Sequence, residues 1–293
     1  MPLVSGTEIL TAARKGGYAI GAYNTNNLEW TQAILAAAEA KQAPVLIQTS
    51  MGAAKYMGGY KLVVNMVKDL MESMNITVPV AIHLDHGSYE AALECIDAGY
   101  TSVMFDGSHL PFDENLKLAK DVVEKAHAKG ISVECEVGSI GGEEDGIIGT
   151  GELADIDECV QMVGTGIDFL ACGIGNIHGA YPENWTGLAF DHLQAISDAV
   201  SAAAGKDVPL VLHGGSGIPV EQIQKAISMG VSKVNVNTEF QVSFAKAVRE
   251  YIEAGKDLEG KGFDPRQLLA PGKAAIIKDA ELHIDIFGSA NKA

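Results

Sequence analysis

A short β-branched, apolar run followed by a segment of helical spacing recurs eight times along the 293 residues, and this alternation constrains the fold more than any other feature. Repeated strand-then-helix units build parallel strands joined by crossover helices. The strand candidates are residues 18–24, 44–50, 79–85, 100–106, 131–137, 167–173, 208–213 and 231–237. Between them lie helical patterns such as 27–41, 113–129 closed by Gly130, and 219–229 closed by Gly230. Ser5 and Glu8 have the spacing of a capping box and predict a short helix ahead of the first strand. Eight units in a chain of this length favour an α/β fold of the closed (β/α)8 TIM-barrel type over an open doubly wound sheet. No Gly/Ser/Pro linker divides the chain, so residues 1–293 read as a single catalytic barrel domain.

Polar residues stand at or near the end of nearly every strand unit: Asn24, Ser50, Asp85, Asp106, Glu136, His178, His213 and Asn235. Active sites of such barrels lie at the C-terminal face of the strands, so these residues mark a candidate site. Two stretches depart from short connections. Residues 138–152 carry six glycines around Glu143, Glu144 and Asp145 and read as a mobile acidic loop. Residues 255–266 form a polar insertion before the last helix, placed to reach a neighbouring subunit.

With 47% hydrophobic and 20% charged residues the chain is globular rather than disordered. The net charge of −17 argues against nucleic acid or an anionic membrane as partner, because most of the surface would be repelled. Any anionic substrate must then meet a locally positive site. Cys95, Cys135, Cys159 and Cys172 form no CxxC pair and suit reduced thiols better than a disulfide framework. There is no leader-like or membrane-length apolar stretch, so the expected compartment is the cytoplasm.

Three histidines fall where an apolar stretch runs into glycine: His86 in HLDHG, His178 in GNIHG and His213 in LHGGSG. Neutral imidazoles from three strand ends can share one catalytic metal and leave a coordination position for substrate oxygens. His83, two residues below Asp85 on the same inward face, serves equally well as a buried structural histidine, whereas the glycine beside His86 lets the chain turn that residue to the centre. His109, His127, His192 and His283 fall on loops or helices and read as incidental. Strand 131–137 alternates Glu134 and Glu136 inward, so two carboxylates share an interior where desolvation and repulsion are costly. Compensation for Glu134 could come from a cation or from a lysine such as Lys233. For Glu136 the metal reading leads, with Asp106 completing a second or alternate divalent position.

His213 is followed by Gly214, Gly215, Ser216 and Gly217, then by Pro219 at a helix start, which leaves backbone N–H groups free to hold an anion. Phosphate is the natural guess, since barrels often bind it beside the last strands, where Asn235, Asn237 and Thr238 lie here. Asp85 adjoins the proposed metal and suits proton exchange with a substrate hydroxyl, or the orientation of a neighbouring histidine. Glu143 and Glu144 are either solvated charges or a base delivered when their loop closes.

The ordered set HLDHG (83–87), VMFDGS (103–108), ECEVGSIGGEEDG (134–146), GIGNIHG (173–179), HGGSGIP (213–219) and KVNVNTE (233–239), with YNTNNLEWTQAI (23–34), resembles the class II, zinc-dependent fructose-bisphosphate aldolases over essentially the whole chain. The resemblance implies reversible cleavage of fructose 1,6-bisphosphate into dihydroxyacetone phosphate and glyceraldehyde 3-phosphate. It implies zinc on His86, His178 and His213, with Asp85 as acid/base at the C4 hydroxyl. It assigns Glu144 to the proton of dihydroxyacetone phosphate and Asn235 to hydrogen bonding of the enediolate. Gly179, Gly214, Gly215, Ser216 and Thr238 would cradle one phosphate, while Asn24 and Ser50 line the pocket. Arg266 of FDPR would reach the far phosphate from a neighbouring subunit, in a homodimer or homotetramer. A monovalent cation is a further candidate cofactor.

Tagatose-bisphosphate aldolases share nearly all these motifs, and Asn237 with the overall similarity leans toward the fructose substrate. A Schiff-base lysine mechanism would fall to Lys233, which precedes Asn235 and sits deeper, and would leave the rim histidines without a task. A metal-dependent hydrolase would need no phosphate clamps. A non-catalytic barrel is hard to square with all three histidines, Asp85 and Glu144 together.

Overall fold

The structure is a computed structural model that describes residues 3–144, 147–149 and 151–293, with the side chains of residues 143–150 outside that description. The first half runs α1 (Gly6–Gly16), β1 (Ile20–Asn24), α2 (Leu28–Lys41), β2 (Val45–Thr49), α3 (Met51–Met57), α4 (Tyr60–Ser73), β3 (Val80–Gly87), α5 (Tyr89–Ala98), β4 (Ser102–Phe105) and α6 (Phe112–His127). It continues with β5 (Ser132–Val137), β6 (Gly141–Glu144), β7 (Ile147–Gly149), α7 (Ile156–Val163), β8 (Phe169–Cys172), β9 (Ile177–His178) and α8 (Phe190–Ala204). The chain ends with β10 (Leu210–Leu212), α9 (Val220–Ser228), β11 (Val231–Val236), α10 (Thr238–Glu253), a 3-10 turn at Lys256–Leu258, α11 (Pro265–Leu268) and α12 (Ala270–Phe287).

Eight of the strands close a barrel in the order β1-β11-β10-β8-β5-β4-β3-β2. All its neighbours pair in parallel, as the strand-helix alternation requires. Each of the eight strands falls within a segment expected from sequence, apart from a two-residue extension of β3 to Gly87. Outward side chains such as Val45, Ile47, Val103 and Val133 pack under the helices. The lower interior holds Ile20, Ala22, Leu46, Ala81, Met104, Phe169, Ala171 and Val211.

Helix α1 closes that lower end by inserting Ile9, Leu10 and Ala13 into the same cluster. Full burial of Leu10 stabilises the fold by about 1.5–3 kcal/mol. Thr7 Oγ1 donates to Asp168 Oδ1 over 2.6 Å and fixes the helix. In place of the expected capping box Ser5 forms a simple N-cap: its Oγ accepts from Thr7 N, and the Glu8 N–H goes to the Ser5 carbonyl. With the bottom sealed by apolar groups, the inward polar residues of the upper layers, Gln48, His83, Asp85, Glu134, Lys233 and Asn235, are all buried and must satisfy one another.

A second sheet, β7-β6-β9, stands outside the barrel. Strand β6 pairs antiparallel with β7 and parallel with β9, placing Gly142 opposite His178. The stretch read from sequence as a loop over 138–152 therefore contains a hairpin, and that hairpin flanks the strand bearing His178. Likewise the barrel strand β8 ends at Cys172, so His178 belongs to β9 and not to a barrel strand end. No helix among the described residues is long and apolar enough to cross a membrane.

Candidate active site

Consecutive residues in a regular strand point to opposite faces, so Asp85 and His86 should not share a site. Two local departures bring them together. Pairing of β3 with β4 shifts register between Leu84 and Gly87, and His86 adopts φ +93°. A positive φ in a non-glycine residue is strained, and such strain collects at functional positions. Asp85 keeps the inward direction while His86 is turned over the same rim.

His213, one residue beyond β10, and His178 on β9 complete a cluster. The ring centroids lie 5.1 Å apart for His86 and His178, 4.5 Å for His86 and His213, and 5.7 Å for His178 and His213. One nitrogen from each ring lies within 4.8 Å of the others. The far nitrogens of two rings are held by carboxylates: His86 Nδ1 is 2.9 Å from Asp106 Oδ2, and His213 Nε2 is 2.7 Å from Glu134 Oε1. That leaves His86 Nε2 and His213 Nδ1 facing each other across 2.8 Å. Carboxylates behind imidazoles are the usual way a protein orients metal-binding histidines. His83 has no such freedom, since its Nδ1 lies 2.7 Å from Ser102 Oγ and its Nε2 lies 3.3 Å from Glu134 Oε2.

Burial alone would lower the His86 pKa, but the hydrogen bond to Asp106 and the charges of Asp85, Asp106 and Glu136 push it up to about 10. Burial and the charge of His86 hold His213 down at about 3 despite Glu134. Burial and repulsion from Asp106 drive Glu136 well above the usual carboxylate range, against the pull of His86. For Asp106, burial is outweighed by the His86 hydrogen bond and charge, which keep its carboxyl well below the ordinary value. The two facing imidazoles are thus pushed in opposite directions, His86 up and His213 down.

Asp85 is held on both carboxylate oxygens. Asn235 Nδ2 donates to Oδ1 over 3.0 Å, while Asn24 Nδ2 and Gln48 Nε2 donate to Oδ2 over 2.9 and 3.0 Å. Gln48 also donates to Asn24 Oδ1 over 2.7 Å. Burial works against ionisation here, but the charges of His86, His213 and Lys233 and the Asn24 hydrogen bond hold Asp85 near 2. Its Oδ1 lies 3.8 Å from His86 Nε2 and 3.9 Å from His213 Nδ1. Gln48 was missed in the sequence reading; its signal was an amide on the inward face of an otherwise apolar strand.

Asn24, Asp85, His178, Gly179, Gly214, Ser216, Asn235, Asn237 and Thr238 line one cleft. Thr238 opens α10 and Asn237 precedes it, so a helix N-terminus borders this cleft. Gly215 contributes by being small: an added Cβ would sit 2.6 Å from the Asn235 carbonyl oxygen, to which its N–H already donates. Ser216 Oγ accepts from Glu239 N over 3.3 Å. Ser50 caps α3 through Ala53 N and does not line the cleft.

Asp106 and Glu136 join His86 in a second group with metal-ligand spacing, and Glu136 Oε2 is buried without a hydrogen-bond partner. Of the two readings for Glu134, the lysine is the one seen, with Lys233 Nζ 2.8 Å from Oε2. Arg266 is not brought to this chain's own cleft; it is 86% exposed and paired with Asp264 at 2.6 Å. The side chains of Glu143 and Glu144 lie outside the described residues. His127, His192 and His283 lie away from the cluster, on Asp168, the Ala154 carbonyl and Glu239 respectively.

A closed parallel barrel whose buried acids and imidazoles converge at the C-terminal ends of the strands defines a barrel enzyme. The family model described as fructose-bisphosphate aldolase class-II matches residues 4–292. The fructose-bisphosphate aldolase of Streptococcus pneumoniae serotype 4 is 66% identical, covering 100% of both chains. That of Streptococcus pyogenes serotype M3 is 65% identical, again over 100% of both. A crystal structure of fructose-bisphosphate aldolase from Campylobacter jejuni superposes with a TM-score of 0.82 at 27% identity, covering 99% of this chain and 97% of the other. The chain belongs to the class II fructose-bisphosphate aldolase family, and is thus an aldolase, a carbon–carbon lyase.

Proposed function

We propose that this chain cleaves fructose 1,6-bisphosphate reversibly into dihydroxyacetone phosphate and glyceraldehyde 3-phosphate, with zinc held by His86, His178 and His213. The observation that carries this reading is the pair of carboxylate-backed imidazoles turned toward each other beside Asp85, at the edge of a cleft bordered by a helix N-terminus. The donor set fits the ion: three imidazoles are a common ligand set for catalytic zinc, and their nitrogens already converge. When bound, the zinc supplies a Lewis acid that accommodates negative charge developing on substrate oxygens.

Asp85, anionic and oriented from both sides, accepts the proton of the C4 hydroxyl as the C3–C4 bond breaks and the C4 carbonyl forms. The electron pair of that bond passes to the dihydroxyacetone phosphate half, to whose C3 Glu144 returns a proton. Asn235 hydrogen-bonds that half while it carries the charge. Gly179, Gly214, Gly215, Ser216, Asn237 and Thr238 surround its phosphate, and Asn24 bounds the other end. A second copy of the chain supplies Arg266 to the far phosphate; the exposure of Arg266, with Phe263 and Leu258 also exposed on the same insertion, supports a homodimer or homotetramer. Asp106 and Glu136 form an alternate divalent position that shares His86 with the first. The four free, buried cysteines suit the cytoplasm.

Lys233 is fully buried against Glu134, which argues against a Schiff base. The test is cleavage of fructose and tagatose 1,6-bisphosphates by the purified protein, with and without a chelator, and after borohydride with substrate. Preference for the fructose isomer, loss with chelator and resistance to borohydride are expected. The reverse pattern with the two reagents overturns the metal route, and preference for the tagatose isomer overturns the substrate.

A further inference from the structure

Strand β11 buries Lys233 completely, and strand β5 buries Glu134 completely beside it, with Nζ 2.8 Å from Oε2. Neither residue lines the cleft. Enclosing an ion pair is costly, and apolar residues of similar volume often serve stability as well or better. A second use for the pair is visible at the other carboxylate oxygen. Glu134 Oε1 is 2.7 Å from His213 Nε2, and the opposite nitrogen of that ring, Nδ1, faces His86.

A neutral imidazole carries one proton, and the ring nitrogen without it is the one that can bind a metal. Lys233 Nζ donates to Glu134 Oε2, His83 Nε2 lies 3.3 Å from the same oxygen, and His213 Nε2 lies 2.7 Å from Oε1. Among the described residues, Lys233 brings the one full positive charge in direct contact with the carboxylate. With it in place both oxygens act as acceptors, so the His213 proton stays on Nε2 and the lone pair stays on Nδ1.

We propose that Lys233 is a positioning residue which, through Glu134, fixes the His213 ring with Nε2 toward the carboxylate and Nδ1 presented to the metal. This rests on the metal reading above. It gives the buried lysine a task in metal retention rather than in covalent chemistry.

The test uses cobalt(II) as the probe, with affinity measured by chelator competition and the site followed by visible absorption. The variants are Lys233→Met and the double variant Glu134→Gln/Lys233→Met. The single change leaves a lone buried carboxylate and is prone to unfold; the double change leaves no unpaired charge and replaces the acceptor-only carboxylate with an amide that can turn either its oxygen or its NH2 to Nε2. The double variant should remain folded by circular dichroism yet bind cobalt about 10–100-fold more weakly, with an altered absorption envelope. Wild-type affinity and an unchanged spectrum in the folded double variant overturn the proposal while leaving the metal site intact. A wild-type protein that shows no cobalt site, or whose spectrum survives His178→Ala, overturns the metal reading and this inference with it.

Discussion

Gly214 packs the turn after His213 against the strand bearing His178, and replacing it with alanine is a sharp perturbation of the site. It follows His213 directly and adopts φ +65°. A β-carbon there would sit 2.1 Å from the carbonyl oxygen of Ile177, the residue before His178, where a real Cβ stays at 3.0 Å or more. The His213 turn and the His178 strand must therefore part by roughly 1 Å, and a misplacement of that size can cost about 10²-fold in rate. The left-handed backbone adds about 1–2 kcal/mol of strain. Gly205 at the end of α8 isolates that strain, because its φ is +63° and an added Cβ would meet nothing within 4 Å. In a coupled assay of fructose 1,6-bisphosphate cleavage at saturating zinc, Gly214→Ala should lose about 10²-fold in kcat/KM, while Gly205→Ala keeps its activity and loses only thermal stability. Tyr181→Phe should loosen the same junction more gently, because Tyr181 Oη accepts from Ile177 N and donates to the Gly214 carbonyl over 3.1 and 2.9 Å. Gly214→Ala activity within about threefold of wild type, or an equal loss in Gly205→Ala, would refute the claim that this turn sets the spacing of the site.

Asp85→Asn should reduce kcat by about 10²–10⁴-fold while zinc content, measured on the same sample, stays near wild type, since the residue is assigned to proton transfer and not to ligation. In the metal-free protein, the His86 pKa is raised to about 10 from an unfolded value near 6.5, so its stabilisation is complete below about pH 6.5 and is lost as pH rises toward 10. Thermal midpoints of the metal-free protein should accordingly fall between about pH 7 and 10, and His86→Gln should flatten that slope. Arg266→Ala should raise KM for the bisphosphate by about tenfold or more without reducing bound zinc, and a KM unchanged at every protein concentration would remove the neighbouring subunit from the site.

The barrel was readable because its signal is local: β-branched runs interrupted by helical spacing mark each strand in turn, and parallel closure follows from their number. The convergence of His86 and His213 was readable for the same reason, each lying at or just past the end of such a run. His178 was expected at a barrel strand end and is not there, since the segment from Cys172 to His178 leaves the barrel and pairs with β6, bringing Gly142 opposite His178 by a long-range contact that no spacing rule reports. The hairpin over β6 and β7 was hidden by glycines, which weaken any strand pattern. Gln48 drew no reading from the sequence, because a lone amide in an apolar strand does not reveal that it bridges Asn24 and Asp85. The partner of Glu134 could not be chosen from sequence, because lysine and metal compensate a buried carboxylate equally well on paper and only the register of β11 brings Lys233 within 2.8 Å.

Metal content and turnover measured side by side on wild type and His178→Ala test the account most directly. The wild-type protein should carry about one tightly held zinc per active site and split fructose 1,6-bisphosphate, and the variant should lose both together. A His178→Ala protein that turns over substrate at the wild-type rate, or a wild-type protein fully active after its metal has been stripped, would contradict it.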